Sequence, residues 1–273
     1  MKRKSLAALS VSAVMAVSMG LAGGPTVLAT TTCTFITLGT TMTLSADCTT
    51  DATITIPDGF TLDGANHTIT AVNPLSGHFV GAVVANEGGT ANVTNLIITT
   101  AALANVCDTD ADRLRGILFD GAEGAITQNT VSNINQGASG CQEGNAIDVR
   151  NAPFDTTGSD KFVTIQDNVI SNYQKTGILV NGSVAAVITG NDITGVGPVD
   201  YIAQNGIQVG FGATAIVRQN SVTGNDYTPK SFVACGILLF EADGVKASHN
   251  FIAHNERPLC NFGKGGGQFN PSE

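Results

Sequence analysis

The sequence predicts an all-β protein, a single-stranded parallel β-helix of about 7–8 coils with a disulfide-pinned N-terminal cap, and three observations carry that expectation. The first is an internal repeat. Gly116-Ile-Leu-Phe-Asp120, Gly177-Ile-Leu-Val-Asn181, Gly206-Ile-Gln-Val-Gly210 and Gly236-Ile-Leu-Leu-Phe240 align, and Ala146-Ile-Asp-Val-Arg150 fits with Ala for Gly. Their starts at 116, 146, 177, 206 and 236 lie 29 to 31 residues apart. The second is local pattern: each unit holds three short, β-branched, alternating strands separated by turns. The third is composition. Charged residues make up 13%, Gly 32 residues, and Trp is absent, which disfavours helical bundles and coiled coils. The 42% apolar share is too high for a disordered chain. A period near 30 without helical spacing excludes helical repeat arrays, and a propeller blade needs about 40–50 residues.

Residues 1–29 read as a secretory signal peptide. Lys2, Arg3 and Lys4 form its positive start, Leu6 to Leu21 is its apolar stretch, and Val27-Leu28-Ala29 places a cleavage site after Ala29. Removing those three basic residues leaves 10 Lys+Arg against 22 Asp+Glu, a net charge of −12. That field disfavours nucleic acid and any other polyanion unless a cation intervenes. The expected product is secreted, extracellular, free of the membrane after cleavage, and monomeric. All six cysteines lie beyond residue 29, and an even count in an exported chain reads as disulfides. Of the 15 possible pairings, the nearest-neighbour set Cys33–Cys48, Cys107–Cys141 and Cys235–Cys260 ties adjacent segments together.

The β-helix domain is assigned to residues 30–260. Residues 30–50 form the cap that covers the open N-terminal edge. Thr53-Ile-Thr-Ile56, Thr61-Leu-Asp-Gly64, His67-Thr-Ile-Thr70, Ala82-Val-Val84 and Val93 to Ile98 are strands of the first, looser coils. From residue 116 each coil opens on the repeated Gly, runs through a second apolar strand to an Asn (Asn129, Asn168, Asn191, Asn220, Asn250), and closes on a third strand after it. The Asn column reads as a structural ladder at a left-handed turn. Pro153 to Asp160 reads as a loop insertion in the second unit, and 261–273 as a flexible tail.

The run Ile56-Pro-Asp-Gly-Phe-Thr-Leu-Asp-Gly-Ala-Asn-His-Thr-Ile resembles the opening coils of right-handed parallel β-helix proteins of the pectate-lyase-like superfamily. With the coils at 116–256 the resemblance spans about residues 50–256. It implies a right-handed helix and places a substrate cleft on the strand face that starts at the repeated Gly. In that family acidic residues there bind Ca²⁺, and a basic residue removes the proton next to a uronate carboxylate.

The pattern supplies candidates for such a site. In the Gly-led strand, positions +1 and +3 point inward, so +2 and +4 point outward. The outward columns are Leu118, Asp148, Leu179, Gln208, Leu238 and Asp120, Arg150, Asn181, Gly210, Phe240. Carried over by location, the resemblance makes Asp120, Asp148 and Asp112 the ligands of a possible Ca²⁺, and Arg150 or Lys175 the base or carboxylate clamp. Asn181 and Gln208, with Tyr173 and Tyr201 from the adjoining loops, are the candidate substrate contacts. None of the family's recognisable catalytic signatures is present. The same residues also read as a surface ion pair between Asp120 and Arg150.

Two functions follow. One is a secreted protein engaging an extracellular polysaccharide, with lyase-type or epimerase-type action on a uronate-containing glycan as its enzymatic form. The other is a non-catalytic exported surface, adhesive or structural β-helix.

Overall fold

A computed structural model describes residues 30–152, 161–242 and 244–263 and the strand Gln268–Asn270. The predicted signal peptide and the insertion at 153–160 lie outside the described residues. The chain passes repeatedly through three sheets in the same order. Sheet 1 has ten strands, beginning with Phe35–Leu38 and Thr41–Leu44 and ending with Lys246–Ser248 and Gln268–Asn270. Sheet 2 runs from Cys48–Thr50 to Phe251–Ala253, and sheet 3 from Ile54–Ile56 to Arg257–Phe262; each has eight strands. Each strand pairs in parallel with its equivalents one coil away, the antiparallel Phe35–Leu38 excepted. The result is a right-handed parallel β-helix.

Register follows the repeat. Ile117, Ile147, Ile178, Ile207 and Ile237 oppose one another in sheet 3, and so do Phe119, Val149, Val180, Val209 and Leu239. Both columns are buried and form the core with inward residues of the other sheets. A buried aliphatic side chain contributes about 1.5–3 kcal/mol, so these columns dominate the stability. The repeated Gly is a packing requirement. A Cβ on Gly177 would lie 2.6 Å from both the Gly206 carbonyl oxygen and Ile193 Cγ2 of sheet 2. Ala146 fills the equivalent place in the second of the five repeat units, and Val83 in the coil before the first; both are fully buried.

The Asn column is a hydrogen-bonded ladder. Asn168 Oδ1 accepts from both N and Nδ2 of Asn129 at 3.0 Å, and Asn191, Asn220 and Asn250 repeat the pattern at 2.9–3.1 Å. The left-handed residue is the one before it, contrary to expectation: Gln128, Asp167, Gln219 and His249 have φ of 54–59°, and Gly190 has 68°. The ladder Asn keeps ordinary backbone and spends its amide on the next coil.

The three disulfides join Cys33 to Cys48, Cys107 to Cys141 and Cys235 to Cys260. Phe35–Leu38 folds back antiparallel on Thr41–Leu44 and covers the edge of sheet 1. At the other end strand pairing passes the predicted boundary at 260: Arg257–Phe262 adds to sheet 3, and Gln268–Asn270 pairs with Lys246–Ser248. This corrects the expectation of a loose tail over those residues, whose backbones complete the ladders begun by the preceding coil.

Candidate functional site

The predicted outward columns exist in register. Leu118, Asp148, Leu179, Gln208 and Leu238 are successive neighbours, as are Asp120, Arg150, Asn181, Gly210 and Phe240. What covers them differs from expectation. Asp148 is 2% exposed, and its Oδ2 accepts from Arg115 Nε at 2.6 Å and Asn145 Nδ2 at 3.3 Å. The rest of the Arg115 guanidinium donates to the carbonyls of Asp110, Ala111 and Arg113. This ion pair therefore ties the loop before the strand onto the face and closes it to solvent. Asp120 instead accepts from Arg150 Nη2 at 3.0 Å and Nε at 3.1 Å on the surface.

The three proposed cation ligands do not converge. Asp112 is exposed on the short turn Asp110–Asp112, Asp120 faces Arg150, and Asp148 faces Arg115. Each of the two paired carboxylates already has a cation, so the residues do not fit the Ca²⁺ site that the resemblance implies. Among the described residues, the trio of potential ligands whose atoms lie within 4.8 Å is Cys107, Cys141 and Glu143. Its two sulfurs are bonded to each other. Glu143, which the sequence did not single out, is a buried staple: its carboxylate accepts the amides of Asp108 at 2.9 Å and Leu114 at 2.7 Å.

Of the other candidates, the structure corrects Tyr173 and places Lys175, Tyr201, Asn181 and Gln208. Tyr173 is fully buried, and its hydroxyl donates to Asn225 Oδ1 at 2.6 Å, so it is core and not a sugar platform. Burial pushes its phenol well above the ordinary value. Lys175 Nζ donates to the Ala203 carbonyl at 2.8 Å, and burial pulls the amine down to about 8. Tyr201 is half-buried, with its phenol raised by burial and then by Asp200. Asn181 and Gln208 are half-buried on the face, and Asn181 Oδ1 is buried with no hydrogen-bond partner.

An open depression of about 360 Å³ lies on the flank where sheet 2 passes into the loops leading to sheet 3. It is lined by Thr100, Ala102, Leu103, Asn133, Asn135, Gln136, Gly137 and Asn172, from three successive coils. Asn133 and Asn172 occupy equivalent left-handed corners, with φ of 58° and 50°. Asn172 Nδ2 donates to Asn133 Oδ1 at 2.6 Å, and Asn135 Nδ2 to the Asn172 carbonyl at 2.9 Å. From the preceding coil, Asn73 Oδ1 accepts the Ala104 amide at 3.2 Å and its Nδ2 donates to the Ala102 carbonyl at 3.2 Å. The Cys107–Cys141 bond links the two loops that wall the pocket. Gln136 is 5% exposed, its backbone amide donates to Gln174 Oε1 at 3.0 Å, and its own Oε1 has no partner. No lining residue carries a charge. Thr100, Asn133 and Asn172 do recur, each four residues after a ladder position, and that spacing is the signal that could have found this pocket; Asn135, Gln136 and Gly137 beside them belong to loops of different length and do not recur.

A sequence profile described as a right handed beta helix region matches residues 154–266. The solved crystal structure of the Dettilon tailspike protein is similar at a TM-score of 0.33 and 12% identity, over 77% of this chain and 54% of that one. The chain thus spans about half the length of that protein. No curated protein matches.

Proposed function

We propose that this chain is an exported β-helix that binds an extracellular polysaccharide on its loop-bearing flank, holding the glycan without cleaving it. The observation that carries the reading is the pocket walled by Thr100, Asn133, Asn135, Gln136 and Asn172 over aliphatic Ala102 and Leu103. The Thr100 hydroxyl and the amides of Asn133, Asn135 and Asn172 are bonded within the wall, so what they offer sugar hydroxyls is their second N–H groups and remaining lone pairs, while aliphatic carbons receive the C–H surface of the ring. The walls are braced by a disulfide and by side-chain bonds to backbone, so little ordering entropy opposes binding.

Lyase or epimerase action is the second reading, and one observation favours it: an amine pulled to about 8 at Lys175 suits a general base. Against it, that amine is held by a carbonyl, and the carboxylates that should accompany it are paired elsewhere.

Affinity electrophoresis through gels containing neutral or uronate polysaccharides, with and without Ca²⁺, tests binding. The ultraviolet absorbance of unsaturated uronate in the same mixtures tests cleavage. Retardation without product is expected. Product that disappears in Lys175→Met would replace the binding reading with the enzymatic one, and the absence of both retardation and product would refute each.

A further inference from the structure

We infer that Cys107, Cys141 and Glu143 form a thiolate–carboxylate site for Zn²⁺ once the Cys107–Cys141 disulfide is reduced; the inference stands apart from the glycan reading. It starts from a buried acid. Glu143 is 1% exposed, and its carboxylate accepts the backbone amides of Asp108 and Leu114. The ion pairs among the described residues do not include it: the carboxylates they hold are those of Asp47, Asp108, Asp120, Asp148 and Asp226. Buried charges are paired with an opposite charge or coordinate a metal, so Glu143 is a carboxylate short of a cation. What lies beside it is sulfur. A carboxylate oxygen of Glu143 and the sulfurs of Cys107 and Cys141 all lie within 4.8 Å of one another.

The donor set selects the metal. Two thiolates and a carboxylate oxygen suit Zn²⁺, whose tetrahedral bonds of about 2.3 Å to sulfur and 2.0–2.2 Å to oxygen set ligand atoms about 3.6–3.8 Å apart. Cutting the disulfide lets the sulfurs part to that spacing by rotation about χ1. An ionised carboxylate has about four acceptor positions, and two backbone amides leave Glu143 room for a metal bond. Asn105 Oδ1 lies 3.9 Å from Cys141 Sγ, close to the place of a fourth ligand. Of the six cysteines Cys107 alone is exposed, so this is the disulfide that an attacking thiolate reaches first. A dithiol reductant supplies two electrons and two protons, closing its own disulfide as Cys107 and Cys141 become thiols. Zn²⁺ then forms two Zn–S bonds and releases both thiol protons. The cation enters from the exposed Cys107 side and takes the place of the bond that was cut. That bond links the loops before Arg115–Asp120 and Asn145–Asn151, so zinc restores the brace that reduction removes.

The test treats the full protein with limiting dithiothreitol under argon, removes the reductant by gel filtration, and adds Zn²⁺ or, as a spectroscopic probe, Co²⁺. Differential alkylation read by mass spectrometry is expected to find Cys107 and Cys141 reduced first and then shielded by Zn²⁺. Co²⁺ is expected to give a sulfur-to-metal charge-transfer band that is lost in Cys107→Ser/Cys141→Ser. Glu143→Gln should weaken Zn²⁺ binding by at least roughly tenfold, the loss that even an outer-shell change causes. Should that variant fold poorly, the Glu143 carboxyl carbon resonance of the wild type decides instead, and is expected to shift when Zn²⁺ is added. Hydrogen exchange in residues 101–114 and 135–145 should rise on reduction and fall again with zinc. Cys107 and Cys141 left unshielded, preferential reduction and shielding of another cysteine pair, or a charge-transfer band that survives in Cys107→Ser/Cys141→Ser would each overturn the assignment. So would full Zn²⁺ affinity in a well-folded Glu143→Gln protein, or a Glu143 carboxyl resonance that Zn²⁺ leaves in place.

Discussion

At the scale of single residues, similar chemistry carries opposite weight according to what covers it. Asp148 and Arg115 form a buried pair, whereas Asp120 and Arg150 form one on the surface. Removing one partner of a buried pair strands a charge and costs about 3–5 kcal/mol, whereas a surface pair contributes about 0–1 kcal/mol. Asp148→Ala should therefore lower the melting temperature sharply, while Arg150→Ala leaves it nearly unchanged, both read by thermal denaturation. Equal losses would show that the loop over Asp148 does not seal it. Lys175 gives a pH signature. Its amine is held near 8 in the fold against an ordinary 10.5 when unfolded, so the unfolded chain binds the extra proton between those values. Stability should rise as pH increases from 8 to 10.5, because the penalty for the buried charge disappears. Lys175→Met should abolish the Lys175 contribution to that rise and stabilise the protein at pH 7 by on the order of 1–2 kcal/mol. Denaturant midpoints across this range check it, and an unchanged slope in the variant would refute the assignment. The inward Ile and Val columns were legible in the sequence because alternation alone fixes their direction. The burial of Asp148 was not, since the covering side chain comes from residue 115 of the preceding coil. Tyr173 was misread for a related reason: it lies in a loop, but its hydroxyl reaches Asn225 about two coils on.

At the scale of elements, the turns hold the ribbon in register as much as the strands do. Each interior ladder Asn serves two neighbours: Asn191 Oδ1 accepts N–H and Nδ2 of Asn168, and its Nδ2 donates to the carbonyls of Ile165 and Thr189 and to Asn220 Oδ1. Asn191→Ala leaves the buried Asn168 amide and the Ile165 carbonyl without their partners, at about 1–3 kcal/mol for each unsatisfied group. Leu96 shows what a coil without the Asn looks like: it takes the ladder position, and its amide donates to Asn129 Oδ1 at 3.1 Å. A buried aliphatic is thus tolerated where the ladder ends and only its downstream bond is lost. Asn191→Leu strips both the backbone N–H and the Nδ2 of Asn168 of their acceptor, whereas Asn129→Leu strips only the Leu96 N–H of the preceding coil, so the first should cost more. Urea unfolding of the two variants checks the order, and equal costs would mean that the ladder adds little beyond filling space. The spacing of these asparagines was readable as soon as the repeat was aligned. The second, shorter ladder of Asn225 and Asn255 was not, because Tyr173 stands in place of the Asn two coils before.

At the scale of the molecule, stacking makes stability a sum of neighbour-to-neighbour terms, so the ends differ from the middle. In sheet 3 the strand Thr176–Gly182 pairs with Asn145–Asn151 on one side and Asn205–Gly210 on the other, while Arg257–Phe262 pairs only with Cys235–Phe240 among the described residues. Phe251 and Phe262 on the last coil are 61% and 47% exposed, so that coil also buries less apolar surface. The Cys235–Cys260 disulfide offsets this weakness by clamping the last two strands of the sheet, closing a loop of 25 residues. Chain entropy puts its contribution at about 3 kcal/mol. In a Cys235→Ser/Cys260→Ser protein, hydrogen exchange should accelerate in Arg257–Phe262 and Cys235–Phe240, while Asn145–Asn151 and Thr176–Gly182 keep their protection. The pocket at residues 100–172 lies on the central coils, so glycan binding should survive the same change. Uniform loss of protection in all eight coils of sheet 3 would show instead that the helix opens as one cooperative unit, and loss of binding would then accompany it.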